Sequence, residues 1–222
     1  MIHSGLWDKL AKLRPESVCE RSLAERDEAT GGFLLPVLNR RYLIEPAART
    51  VTLEGAPAAA EPPAFHVQLL AVNYLIGARG VPLAGELTTA GQLPGGETFF
   101  RGSHGMPTEK LTDRFGSDAD GFLAAGRALG GRPCEHGDAA VELPLLPKIP
   151  ITVVLWLADP EFFARVSYLF DRSATVHLQL DALLAAAQLA QKELVGAALR
   201  HSVSQESRQV RPVTGPSDPT IR

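Results

Sequence analysis

The sequence predicts an α+β chain built on a mostly antiparallel sheet, and three observations carry that expectation. Strand-like runs crowd into residues 33–54, too close together for parallel crossovers, which need about a dozen residues or more. A second cluster of such runs, over 139–143, 151–157 and 166–170, comes late in the chain. Helical periodicity lies between and after the clusters, so strands and helices segregate rather than alternate.

The first 30 residues read as a helical segment. Leu6, Leu10 and Leu13 recur at helical spacing, Pro15 can open a second helix, and Val18, Ser22 and Arg26 follow along it. Gly31-Gly32 closes the segment. Residues 33–38, 41–45 and 50–54 then form a meander, in which Val51 and Leu53 alternate with Thr50, Thr52 and Glu54 as a half-buried strand requires. A helix over 64–77 starts behind Pro62-Pro63 and carries Phe65, Leu69, Val72 and Ile76 as an apolar stripe, widened by Leu70 and Leu75. Gly77 and Gly80 stop it. Residues 81–105, rich in Gly, Pro and Thr, read as irregular structure with short strands, where function often resides.

Helices are expected over 107–115 and 118–129, the second capped by Ser117-Asp118 with Phe122, Ala125 and Leu129 on one face. The run Ile151-Thr-Val-Val-Leu-Trp-Leu157 is apolar and largely β-branched, as suits a central strand covered on both faces. A long Ala/Leu-rich helix over 181–200 completes a single domain spanning 31–200. Residues 201–222, polar and with three prolines, are expected to form a disordered tail.

Of the 222 residues, 45% are hydrophobic and 21% charged, with a net charge of −3 and no cluster of Lys or Arg. That balance argues against nucleic acid as a partner, because such binding needs clustered positive charge. The longest strongly apolar run, 149–158, is interrupted by Pro150 and falls short of the roughly 20 residues of a membrane span. The start of the chain lacks a signal-peptide pattern, so a cytoplasmic chain with Cys19 and Cys134 as reduced thiols is expected.

Several short strings then appear in order: Leu83-Ala-Gly-Glu-Leu87, Leu93-Pro-Gly-Gly96, Asp113-Arg-Phe-Gly116, Ala128-Leu-Gly-Gly131, Gly137-Asp138 and Pro150-Ile-Thr-Val-Val-Leu-Trp156. Asp159, Glu161, Phe162 and Leu169-Phe-Asp171 continue the series. Across residues 30–195 the chain resembles an uncharacterised domain-of-unknown-function family (DUF3786-like) of anaerobic bacteria and archaea. The resemblance implies a class and a compartment, not an activity. Some members carry a cysteine-rich iron–sulfur segment; this chain has none, so no cluster is carried over. Where the family has glycine followed by two acids after the tryptophan, this chain has Ala158-Asp-Pro-Glu161.

The candidate ligand-binding residues are Arg101, His104, Trp156, Asp159, Glu161 and Asp171. Asp159 and Glu161 follow Trp156 at the end of the central strand, where paired acids can bind a cation, exchange protons, or simply cap a turn. Arg101, Ser103 and His104 sit between glycines that permit tight backbone paths, so the loop can present donors to an anion or stay a plain surface loop. Cys134, His136 and Asp138 alternate and are zinc-ligand types, but a second ligand pair is not evident, and a strand start explains Asp138 better. Asp171, Ser173 and His177 contain the types of a nucleophilic triad without the Gly-x-Ser-x-Gly elbow. The glycines at 77, 80, 130 and 131 do not form a dinucleotide fingerprint.

No reaction and no cofactor is legible in these residues. The leading expectation is an accessory small-molecule or cofactor-binding module of anaerobic metabolism, with a crevice between the 95–105 loop and the end of the central strand. Two alternatives stand beside it: a small metal-assisted or hydrolytic enzyme using His104, Asp159 and Glu161, and a protein-interaction subunit.

Overall fold

The computed structural model describes residues 2–57 and 59–209, with side chains described through residue 200. Within them the α+β class is observed, as two antiparallel sheets and eight α-helices. Helix α1 (Ser4–Ala11) begins where His3 Nδ1 accepts from the Gly5 N–H, and it buries Trp7 and Leu10. Helix α2 (Pro15–Ser22) has proline in its first turn and ends at Leu23, which adopts a left-handed φ of 60°. That break corrects the expectation of helix up to residue 30. The chain instead forms strand β1 (Glu25–Arg26), which pairs with β2 (Phe33–Val37). Strands β3 (Arg40–Glu45) and β4 (Thr50–Leu53) complete the meander in the order β1-β2-β3-β4.

Helix α3 (Phe65–Gly77) spans the expected residues and buries Val72 and Ile76 of the expected stripe with Leu70 and Leu75, but its buried surface is wider than that stripe and leaves out Phe65. Leu70, Ala71, Tyr74 and Leu75 are fully buried, whereas Phe65 is largely exposed. The reason is its position: α3 packs on α1 and α2 and also on the last helix, so its burial exceeds one stripe.

The 81–105 segment contributes β5 (Leu87–Thr89) and the short α4 (Gly96–Phe99). Helices α5 (Glu109–Phe115) and α6 (Ala119–Ala128) follow, the second capped by Asp118, whose carboxylate accepts from the Gly121 N–H at 2.8 Å. Strands β6 (Arg132–Cys134), β7 (Ala139–Leu146), β8 (Ile149–Trp156) and β9 (Arg165–Asp171) come next. Helices α7 (Ala174–His177) and α8 (Leu180–Gln209) complete the described chain. Helix α8 runs past the expected end at residue 200, and residues 210–222 of the expected tail lie outside the described residues.

The second sheet has the order β5-β9-β8-β7-β6, with β8 between β7 and β9. Ile151, Val153 and Leu155 are fully buried, and Thr152 and Val154 on the opposite face are 1% exposed. Burying each of those large apolar side chains contributes about 1.5–3 kcal/mol. Helix α6 lies close over this sheet: a Cβ on Gly126 would meet Val141 Cγ2 at 2.5 Å, so only glycine fits there. A hydrogen bond from the Leu38 N–H to the Leu145 carbonyl joins the two sheets. Helix α8 packs against α3, α5 and α6 and crosses β7. Among the described residues, no helix is long and apolar enough to cross a membrane.

Candidate functional site

Strand β8 delivers Asp159 and Glu161 to its end, as its apolar run predicts, and both are exposed there. Asp159 Oδ1 accepts from the N–H groups of Glu161 and Phe162, at 2.8 and 2.7 Å. Its own N–H donates to the Phe162 carbonyl at 3.0 Å. The carboxylate thus closes a tight turn, the local chemistry that Asp favours. This turn presents two aromatic rings to solvent: Phe162 is 68% and Phe163 98% exposed. Trp156 is half-buried under the guanidinium of its cross-strand neighbour Arg165, at 4.2 Å.

Arg101 and His104 are occupied within their own loop. Arg101 pairs with Glu97 at 2.6 Å, and His104 stacks on Phe99 with ring centroids 4.7 Å apart. Of the six candidates, only Asp159 and Glu161 meet, through the backbone bond just given; no other hydrogen bond, ion pair or ring contact joins any two. The loop also borders a hollow of about 330 Å³ lined by Ser103, Thr108 and Gln191, whose Oε1 lacks a partner among the described residues.

Asp171 lies at the other end of the sheet, because β9 runs antiparallel to β8. It is 3% exposed and saturated with donors. Its carboxylate accepts from the Ala84 and Gly85 N–H groups at 2.9 and 2.8 Å, and from the Ser173 N–H and hydroxyl at 2.9 and 2.5 Å. Burial pushes its pKa up, but the hydrogen bonds from Ser173, Ala84 and Gly85 outweigh burial and hold the carboxyl below its usual range. Ser173 Oγ therefore donates to Asp171 and not to His177, so the three residues do not form a nucleophile–base–acid relay.

His177, at the end of α7, is 1% exposed. Its Nδ1 accepts from the Arg79 N–H at 3.3 Å, which places the proton of the neutral ring on Nε2. Nε2 has no partner among the described residues. Burial first, and then the Lys148 charge, lowers the pKa of the ring below the ordinary histidine value. Lys148, in the turn between β7 and β8, is 7% exposed and donates to the Arg79 carbonyl at 2.7 Å. Two buried ionisable side chains thus hold the backbone of Arg79 just beyond α3. Arg21 supports the same helix end, donating to the Ala78 carbonyl at 2.6 Å, as cations do at helix C-termini.

Above this cluster is a pocket of about 330 Å³ between α1, the end of α3 and the 175–179 segment. Lys9, Asn73, Gly77, Arg79, Thr175 and His177 line it. Gly77 is required by close approach, since a Cβ there would stand 2.5 Å from the His177 carbonyl oxygen. Lys9, Asn73, Arg79 and Lys148 were not legible as site residues. Lys148, the one cation between residues 139 and 157, is the sequence signal that could have drawn attention here.

Asp138 accepts from the Leu157 N–H at 2.8 Å and its own N–H donates to the Leu155 carbonyl, so it fastens the end of β8. Cys19 and Cys134 are free thiols. Among the described residues, no three His, Cys, Asp or Glu side chains gather as a metal site would require.

Fold and site together define an α+β chain whose buried polar cluster underlies a donor-lined pocket. The model of one family, a domain of unknown function (DUF3786), matches residues 14–192, and the chain belongs to that family. No curated protein and no solved structure matches the chain.

Proposed function

We propose that this chain is an accessory, non-catalytic binding module for a small molecule, which enters the pocket between α1, α3 and the 175–179 segment. One observation carries the reading: His177, almost wholly buried beside that pocket, keeps an Nε2 without a partner among the described residues. A buried polar group left unpaired costs about 1–3 kcal/mol, a cost that a fold tolerates most readily at a working site. The free thiols of Cys19 and Cys134 suit a cytoplasmic location. The link to anaerobic metabolism rests on the family resemblance drawn from the sequence.

The test is native mass spectrometry and thermal melting of the purified chain beside V176W. Val176 lines the pocket and is 44% exposed, so a tryptophan there fills the pocket and spares the core. The wild-type chain is expected to retain a small molecule, or to melt higher with one from a metabolite panel, and V176W to lose the effect. A chain that retains nothing and responds to nothing in the panel sinks the reading.

A second reading, an interaction subunit, is supported by Phe162 and Phe163 on their turn. A photo-crosslinking residue at position 163 is expected to trap one discrete partner that the same residue at position 28 does not. Equal trapping at both positions counts against it.

A further inference from the structure

The groups around the pocket share a sign. Lys9 and Arg79 line it, both exposed, and no Asp or Glu does. Among the described residues neither cationic side chain makes a hydrogen bond or an ion pair. Behind them Lys148 donates to the Arg79 carbonyl and, among the described residues, makes no ion pair, and Nε2 of His177 is a donor without an acceptor there. Asn73, Thr175 and Gln179 on the wall can donate or accept. This concentration of cations and donors stands in a chain of net charge −3.

The arginine is also built in. An exposed arginine on a free loop contributes little, because ordering its side chain and backbone offsets the gain. Here the Arg79 N–H is held by His177 and its carbonyl by Lys148, both more than nine-tenths buried. The backbone has therefore been ordered before any ligand arrives, which is preorganisation. Asp171, the buried acid of the neighbouring segment, is the one negative charge felt at His177, but its carboxylate is turned to Ala84, Gly85 and Ser173 and makes no ion pair with Lys9, Arg79 or Lys148 among the described residues.

We infer that the pocket takes a small oxyanion, a carboxylate or phosphate group on a small molecule, received by Arg79 and Lys9. This rests on the pocket reading above and names its ligand class. Arg79 offers a planar fork that matches two oxygens of such a group, and Lys9 adds a point charge from α1.

The test uses the full chain, with sodium phosphate and sodium succinate as probes against sodium chloride at matched ionic strength. Melting shifts and titration calorimetry are read for wild type, R79Q, K9Q and V176W. At least one probe is expected to bind saturably and raise the melting temperature beyond chloride. R79Q is expected to weaken that binding on the order of tenfold, K9Q less, and added chloride to weaken it in the wild type. Response to phosphate alone, to succinate alone or to both supports the inference and says which oxyanion the site prefers. If neither probe exceeds chloride, or if R79Q binds like wild type, the inference is overturned. A neutral compound that binds wild type and not V176W, while both anions fail, overturns the anion class and leaves the pocket reading standing. Anion binding that V176W leaves untouched removes both.

Discussion

Strands β8 and β9 lie side by side in opposite directions, and each leads into an aspartate that accepts backbone N–H groups. Beyond β8, Asp159 accepts from Glu161 and Phe162 in its own turn, and it is exposed. At the end of β9, Asp171 accepts from Ser173 in its own turn but also from Ala84 and Gly85, far away in sequence, and it is buried. The local chemistry of the two is alike. What separates them is whether the rest of the chain closes over the carboxylate, and only the second acid ties distant segments together.

That contrast can be broken most directly by removing each acid. Asp171→Ala leaves several donors unpaired in a closed environment, so it is expected to lower unfolding stability by about 3 kcal/mol in denaturant titration. Asp159→Ala leaves donors that water reaches, and is expected to cost under about 1 kcal/mol. Equal losses would erase the distinction between the two ends of the sheet.

A pH series sharpens it. The His177 ring has a lowered pKa in the folded chain, so between that value and its unfolded pKa of about 6.5 the unfolded chain binds more protons. Stability is therefore expected to fall as pH drops below about 6.5, and His177→Gln is expected to flatten that slope. A slope that the variant leaves unchanged assigns it to other groups. The lowered pKa of Asp171 adds a separate loss, beginning only as pH falls through about 3.9.

Smaller effects are expected at the exposed end. Replacing Phe162 and Phe163 together by serine is expected to change stability by no more than about 0.5 kcal/mol, because the rings already face water. Arg101→Ala removes a surface pair with Glu97 and is expected to cost no more than about 0.5 kcal/mol in the same titration. A larger loss at either place would show packing beyond the contacts described.

Strand β8, helices α5 and α6, and the meander were legible because their patterns are local: alternation, β-branching, proline and an Asp cap act within a few neighbours. Strand β1 was hidden by charged residues that read as a solvated helix, until Leu23 turned left-handed and pairing with β2 took over. Leu70, Val72, Leu75 and Ile76 of α3 were legible as core, but the burial of Val67, Ala71 and Tyr74 beside them was not, because α8 covers the helix from a distant part of the chain. Asp159 was legible as a turn former, and its turn is what the structure contains. The pocket was not legible at all, since Lys9, Arg79, Lys148 and His177 come from four separate elements.

The sequence by itself determined the α+β class, the antiparallel sheets and the buried run of β8, because hydrophobic period and turn chemistry depend on near neighbours. Tertiary structure alone decided which polar residues are sealed and which stay wet. A carboxylate or an imidazole carries no mark of its burial in its own neighbourhood; the chain that folds over it supplies the donors, the low dielectric and the shifted pKa.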